Sequence, residues 1–181
     1  VLNETVSEQI KNNISRFNQK IQPRNSGQCG QNTVYEISNN QLIISGEGDI
    51  NNYTDSNQQP WQSYRSQIIN ITINDNVTSI GSYNFADFNN LIQVTISDTV
   101  QSIGNNAFHR CSKLENIIFS ENTKGIGSYA FSECSSLQII NLPQKVTQIL
   151  SNAFSYCINL VSITLPENIT IINDRTFSNC H

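Results

Sequence analysis

Apolar residues return along this chain at a fixed interval of 23. Phe85, Phe108, Phe131, Phe154 and Phe177 are spaced that way, and so are Leu91, Leu114, Leu137 and Leu160. Ile80, Ile103, Ile126, Ile149 and Ile172 form another column. Ile71, Val94, Ile117, Ile140 and Ile163 form a fourth, and Ile73, Ile96, Phe119, Leu142 and Leu165 a fifth. The residues between them are mostly polar and differ from copy to copy. One unit of this size cannot bury its own apolar side, so each is read as one coil of a solenoid that stacks on the next. Stacked coils set equivalent residues above one another, about 4.8 Å apart where strands pair between coils. The fixed positions then become continuous buried columns.

Within a coil the pattern changes period. In "LVSITL", Leu160, Ile163 and Leu165 face inward, and Ser162 and Thr164 alternate outward, as a strand requires. A shorter apolar stretch, "VTSIG" at 77–81 and "VQSIG" at 100–104, reads as a second strand on the opposite wall. Gly81, Gly104 and Gly127 are expected to serve a bend there, although Leu150 and Asn173 replace glycine later. The "NAF..C" stretch is expected to make a short helical turn back. Before the repeats, "TVYEI" and "QLIIS" joined by "SNN" read as a hairpin that covers the first coil. Trp61, Tyr53 and Tyr64 would lie over that coil. Val6, Ile10, Ile14, Phe17 and Ile21 make a helical stripe, with Thr5 and Glu8 as a capping box and Pro23 as its stop. A membrane-surface helix is the sharper reading of that stripe, but its polar face offers only Lys11, Arg16 and Lys20 as basic groups.

A period of 23 lies within the range of leucine-rich repeats. The stretch "SIGNNAFHRCSKLENIIFSENTKGIGSYAFSECSSLQIINLP" resembles the BspA-like leucine-rich repeats, whose consensus runs C-x-x-L-x-x-I-x-(I/L)-P-x-x-V-x-x-I-G-x-x-A-F. The stretch "GQCGQNTVYEISNNQLIISGEGDINNY" with the following "QQPW" is similar to the family's N-terminal cap. The resemblance covers about residues 27–181. The expected fold is a leucine-rich repeat solenoid, β-rich with short helical turns, with an N-terminal helix and a β-hairpin cap. The expected division is 1–23 helix, 24–67 cap and 68–181 repeats. The chain starts at Val1 and stops within a repeat, so a longer protein with further repeats is expected.

Composition narrows the chemistry. The net charge is −4 and only 13% of residues are charged, with no basic cluster to hold nucleic acid. No apolar run approaches the ~18 residues of a membrane helix. Cys111, Cys134, Cys157 and Cys180 share the repeat period, and Cys29 stands apart. Side chains stacked in parallel make poor disulfides, and one ligand per coil does not converge on a metal. Phe88 fills the position one coil earlier, so these thiols are read as reduced and buried, with no metal and no cofactor. His109 with Cys111, and Cys180 with His181, do not amount to a nucleophile and base. Asp98, Glu121 and Glu167 share a position that Gln144 interrupts, and read as solvated turn residues. No catalytic constellation remains, and the chain is not expected to be an enzyme. Six sequons, at Asn3, Asn13, Asn52, Asn70, Asn76 and Asn168, are candidate glycan acceptors in a secretory pathway.

The candidate binding residues are the outward positions of the first strand: Gln93, Thr95, Asn116, Ile118, Ile139, Asn141, Ser162 and Thr164, preceded by Asn70 and Thr72. This row should line the concave wall of the solenoid, where residues vary without harming the core. It is mostly small and polar, with Ile118 and Ile139 as adjacent apolar points, and has few charges to steer a charged ligand. The resemblance implies a surface antigen at the cell surface or outside the cell. Its implied partner is a protein or glycan of host cells, extracellular matrix or other microbes. A spacer that displays another domain, and an intracellular interaction scaffold, are the alternatives.

Overall fold

Coil stacking is read directly from the strand register. The computed structural model describes residues 25–169 and 171–180. The helix expected over 1–23 lies outside them, as do Asn3 and Asn13. One wall is built from β4 (Asn70–Ile73), β6 (Gln93–Ile96), β8 (Asn116–Ile118), β10 (Ile139–Asn141) and β12 (Ser162–Thr164). The pairs are parallel and in register at the repeat interval, Ile71 beside Val94 and Val94 beside Ile117. The second wall holds β5 (Val77–Ile80), β7 (Ser102–Ile103), β9 (Gly125–Ile126) and β11 (Gln148–Ile149), also parallel.

Ahead of the coils, β1 (Ser26–Gln28), β2 (Asn32–Ser38) and β3 (Gln41–Asp49) pair antiparallel. β3 then supplies the first rung of both walls: Gln41–Ile44 runs beside β4, and Gly48 and Asp49 lie beside β5. The bend between its halves falls at Gly46 and Gly48, with φ of 103° and 97°. Only glycine adopts such angles cheaply.

Between the walls the chain makes tight turns, and here the expected helical turns are corrected. Among the described residues the single helical element is a 3-10 turn at Gln62–Tyr64, before β4. A helix would spend every N–H within its own coil. This chain alternates. Ala107, His109 and Cys111 donate to Gly104, Asn106 and Phe108 of the same coil, while Asn106, Phe108 and Arg110 donate to Ser128, Ala130 and Ser132 of the next. That alternation needs left-handed residues, and two columns supply them: Tyr83, Asn106, Tyr129, Asn152 and Arg175, and Asp87, Arg110, Glu133, Tyr156 and Asn179. A left-handed non-glycine residue costs about 1–2 kcal/mol. A hydrogen bond returns about 1 kcal/mol. The inter-coil bonds therefore largely offset the backbone cost.

The glycines also act differently from expectation. Gly81, Gly104 and Gly127 do not have positive φ. They allow close approach instead: a Cβ on Gly104 would lie 2.6 Å from Ser82 N, and one on Gly127 2.6 Å from Asn105 N.

The core is a column of rings. Trp61 stacks on Phe85 at 5.6 Å, Phe85 on Phe108 at 5.2 Å, Phe108 on Phe131 at 5.2 Å, Phe131 on Phe154 at 5.4 Å and Phe154 on Phe177 at 5.8 Å. The Trp61 indole N–H is not wasted, because it donates to the Asn84 carbonyl at 2.9 Å. Beside this column runs the cysteine column. Each Sγ donates to the phenylalanine carbonyl of the preceding coil: Cys111 to Phe85 and Cys134 to Phe108 at 3.1 Å, Cys157 to Phe131 and Cys180 to Phe154 at 3.2 Å. The thiol thus fills apolar space and satisfies a turn carbonyl in one step.

Candidate binding face

The outward row of the first wall is where the strand alternation puts it. Gln93, Asn116, Asn141, Ser162 and Thr164 are exposed, and Thr95 is half-buried. Ile118 and Ile139 are 55% and 63% exposed, large values for isoleucines. Asn116 pairs across from Gln93, and Ile118 from Thr95. Ser162 pairs with Ile139 and Thr164 with Asn141, whose Oδ1 accepts the Thr164 hydroxyl at 3.2 Å. At the start of the row Asn70 and Thr72 are half-buried, and Gln41 Nε2 donates to the Thr72 hydroxyl at 2.9 Å.

Between β8 and β10 the wall opens. The long sheet ends at β8, and β10 pairs with β12 in a sheet of its own. After β4 and β6 the ladder closes just past the strand, where Asn74 N donates to Ile44 O and Ser97 N to Ile73 O. The equivalent residues after β10 and β12 are Pro143 and Pro166, which have no N–H to donate. Phe119 stands in a column of otherwise aliphatic residues, and its ring meets Phe131 edge-on at 5.7 Å. A ring in a space cut for isoleucine or leucine takes more room along the stack. Here lies a cleft of about 490 Å³ lined by Ile118, Phe119, Glu121, Asn141, Leu142 and Pro143, among others. Ile118 lines it, and Ile139 stands on the facing strand. Phe119 is legible in the sequence as a departure from its aliphatic column, but its place beside the open ladder is not.

The other candidates fall as follows. Asn52 is exposed and its Oδ1 accepts the Ser82 N–H at 2.8 Å. Asn76 is exposed in a left-handed turn, and Asn168 Nδ2 donates to Gln144 O at 3.2 Å. The Cys111 thiol is committed to Phe85 O, and His109 Nε2 lies 3.8 Å from Glu133. Burial of His109 outweighs the attraction of Glu133 and holds the imidazole below its ordinary 6.5. Burial pushes the Cys29 thiol up to about 11, and raises Cys134, Cys157 and Cys180 as well. Asp49 is held below the usual carboxylate range by the Thr78 and Ser79 hydroxyls, at 2.6 and 2.7 Å. Among the described residues no three His, Cys, Asp or Glu side chains converge as metal ligands, and no helix is long and apolar enough to cross a membrane.

In-register parallel rungs, a stacked ring column and turns that hand hydrogen bonds to the next coil define a leucine-rich-repeat β-solenoid. The model of the BspA type leucine rich repeat region matches residues 62–181 in six copies. The chain belongs to that family. It is similar to a leucine-rich repeat protein of Eubacterium ventriosum, 28% identical over 79% of this chain and 44% of that one, with a TM-score of 0.65. It is also similar to a leucine rich cell surface protein of Faecalibacterium prausnitzii, 32% identical over 84% of this chain and 36% of that one, with a TM-score of 0.64. The chain thus spans less than half the length of either. The leucine-rich repeat protein of T. pallidum shares the fold, at 22% identity over 74% of this chain and 79% of that one, with a TM-score of 0.53. No curated protein matches.

Proposed function

We propose that this chain is the repeat region of a cell-surface or secreted protein that binds a host-cell or matrix protein through the outward row of its first wall. The observation that carries the reading is the pair Ile118 and Ile139, more than half exposed beside a cleft in an otherwise closed ladder. Contiguous apolar surface marks interaction sites where singly exposed residues do not, and these two side chains stand on facing strands at one cleft. The rest of the row is small and polar, which suits the hydrogen-bonding rim of a protein interface. Surface location is supported by the relative from Faecalibacterium prausnitzii, itself described as a cell surface protein. The division into 1–23, 24–67 and 68–181 goes with this reading, the last segment presenting the face. A solenoid of this kind is suited to binding and not to catalysis.

The test is adhesion of the purified chain to epithelial cells and to immobilised matrix proteins. The comparison is a variant with Gln93, Asn116, Ile118, Ile139 and Asn141 changed to serine or alanine. Binding by the native chain, lost in a variant that still unfolds cooperatively, supports the reading. Absence of binding by the native chain counts against it and favours a spacer.

A further inference from the structure

The turn wall, away from the binding row, carries a second candidate. Its two left-handed columns have φ between 55° and 64°. Asparagine and glycine take that conformation at least cost, and Asn106, Asn152 and Asn179 stand there. Tyr129 and Tyr156 stand there too, in the backbone conformation that the inter-coil hydrogen bonds require of every coil. That conformation turns both rings outward, and Tyr129 is 41% and Tyr156 53% exposed.

Both rings border one hollow of about 380 Å³, together with His109, Glu133, Asn152 and Arg175. Beneath it Ser155 donates its hydroxyl to Asn152 O at 3.0 Å and accepts from the Ser132 hydroxyl at 2.9 Å. Arg110 Nε, 3.2 Å from a Glu133 oxygen, orients that carboxylate. His109 Nδ1 is buried and has no hydrogen-bond partner. A buried ring nitrogen left unpaired is uncommon and asks for a ligand or water.

We propose that this hollow binds a saccharide unit, with Tyr129 and Tyr156 as its apolar platforms. A sugar ring presents C–H groups on its faces and hydroxyls around its edge. The tyrosine rings suit the first, and Asn152, Glu133 and Ser178 suit the second. An aliphatic side chain finds no aliphatic lining. A strongly charged ligand meets Glu133 and Arg175 of opposite sign. The site lies on a different wall from the protein-binding row and does not depend on it.

The experiment probes a printed oligosaccharide array with the full chain, with Tyr129→Asn and Tyr156→Asn, and with the binding-row variant. Asparagine suits the left-handed backbone, so these two variants keep the fold. The expected result is retention of a subset of saccharides by the native chain and by the row variant. Each tyrosine variant should bind that subset about tenfold or more weakly, about 1.4 kcal/mol, with an unchanged or raised melting temperature. Absence of any retained saccharide, or equal retention by the tyrosine variants, overturns the proposal. A lowered melting temperature in both variants also overturns it, because the tyrosines would then be held by packing.

Discussion

Replacing Phe131 by alanine probes the ring column at its middle. Phe131 is fully buried, with Phe108 stacked at 5.2 Å on one side and Phe154 at 5.4 Å on the other. Phe119 meets its edge at 5.7 Å. Truncating a buried phenylalanine costs about 3–5 kcal/mol. The two stacked partners, each worth about 0.5–1.5 kcal/mol beyond area, place this site in the upper half of that range. Phe177 offers an internal comparison. It is half-buried, with a single stacked neighbour at 5.8 Å, so Phe177→Ala should cost about 1–2 kcal/mol. With a urea slope of about 2 kcal/mol per molar, Phe131→Ala lowers the midpoint by about 2 M and Phe177→Ala by less than half of that. Urea melts should be followed by far-UV circular dichroism and by Trp61, the single tryptophan, which heads the column three stacking steps away. Coils contact mainly their neighbours, so a weak middle coil can uncouple the ends. In Phe131→Ala the Trp61 transition should therefore trail the dichroism transition. Equal costs at the two positions, or an unchanged midpoint for Phe131→Ala, would refute the column as the source of stability.

The thiols and His109 yield two further expectations. At pH 8 a disulfide-exchange reagent should label half-buried Cys180 first. Cys29, Cys111, Cys134 and Cys157 should react only on unfolding, because each is buried. Fast labelling of any of these four in the native chain would contradict their place in the core. His109 has a depressed folded pKa, so the unfolded chain takes up its proton first as pH falls. The stability associated with neutral His109 is present above pH 6.5 and is lost as pH drops through the lower folded value. Urea midpoints measured from pH 7 downward should decline more steeply in the native chain than in His109→Gln, and parallel curves would refute the assignment.

The sequence alone determines the solenoid, its period, the inward columns and the outward row, because each follows from local alternation and a fixed repeat; Ile172, 53% exposed in the last described coil, is the exception among the inward positions. Side-chain period of two decides which of Ser162 and Ile163 faces the core, and no tertiary information is needed for that. Helical turns are the wrong expectation here because "NAF..C" carries helix-like spacing, while its hydrogen bonds are settled by the next coil. Asn106 and Phe108 can leave helical geometry only because Ser128 and Ala130 lie in position to accept their N–H groups. Gly104 likewise suggests a bend, and only the stack reveals that Ser82 N occupies the space where a Cβ would go. The cleft and the tyrosine hollow belong to the same class. Phe119 is visible in the sequence as a departure from an aliphatic column, and Tyr129 and Tyr156 as residues at its variable positions. Whether such a residue lies beside an open ladder or borders a hollow depends on what the adjacent coil places against it. Adjacent coils lie 23 residues away in the chain and a few ångströms away in space, a distance that local pattern cannot measure.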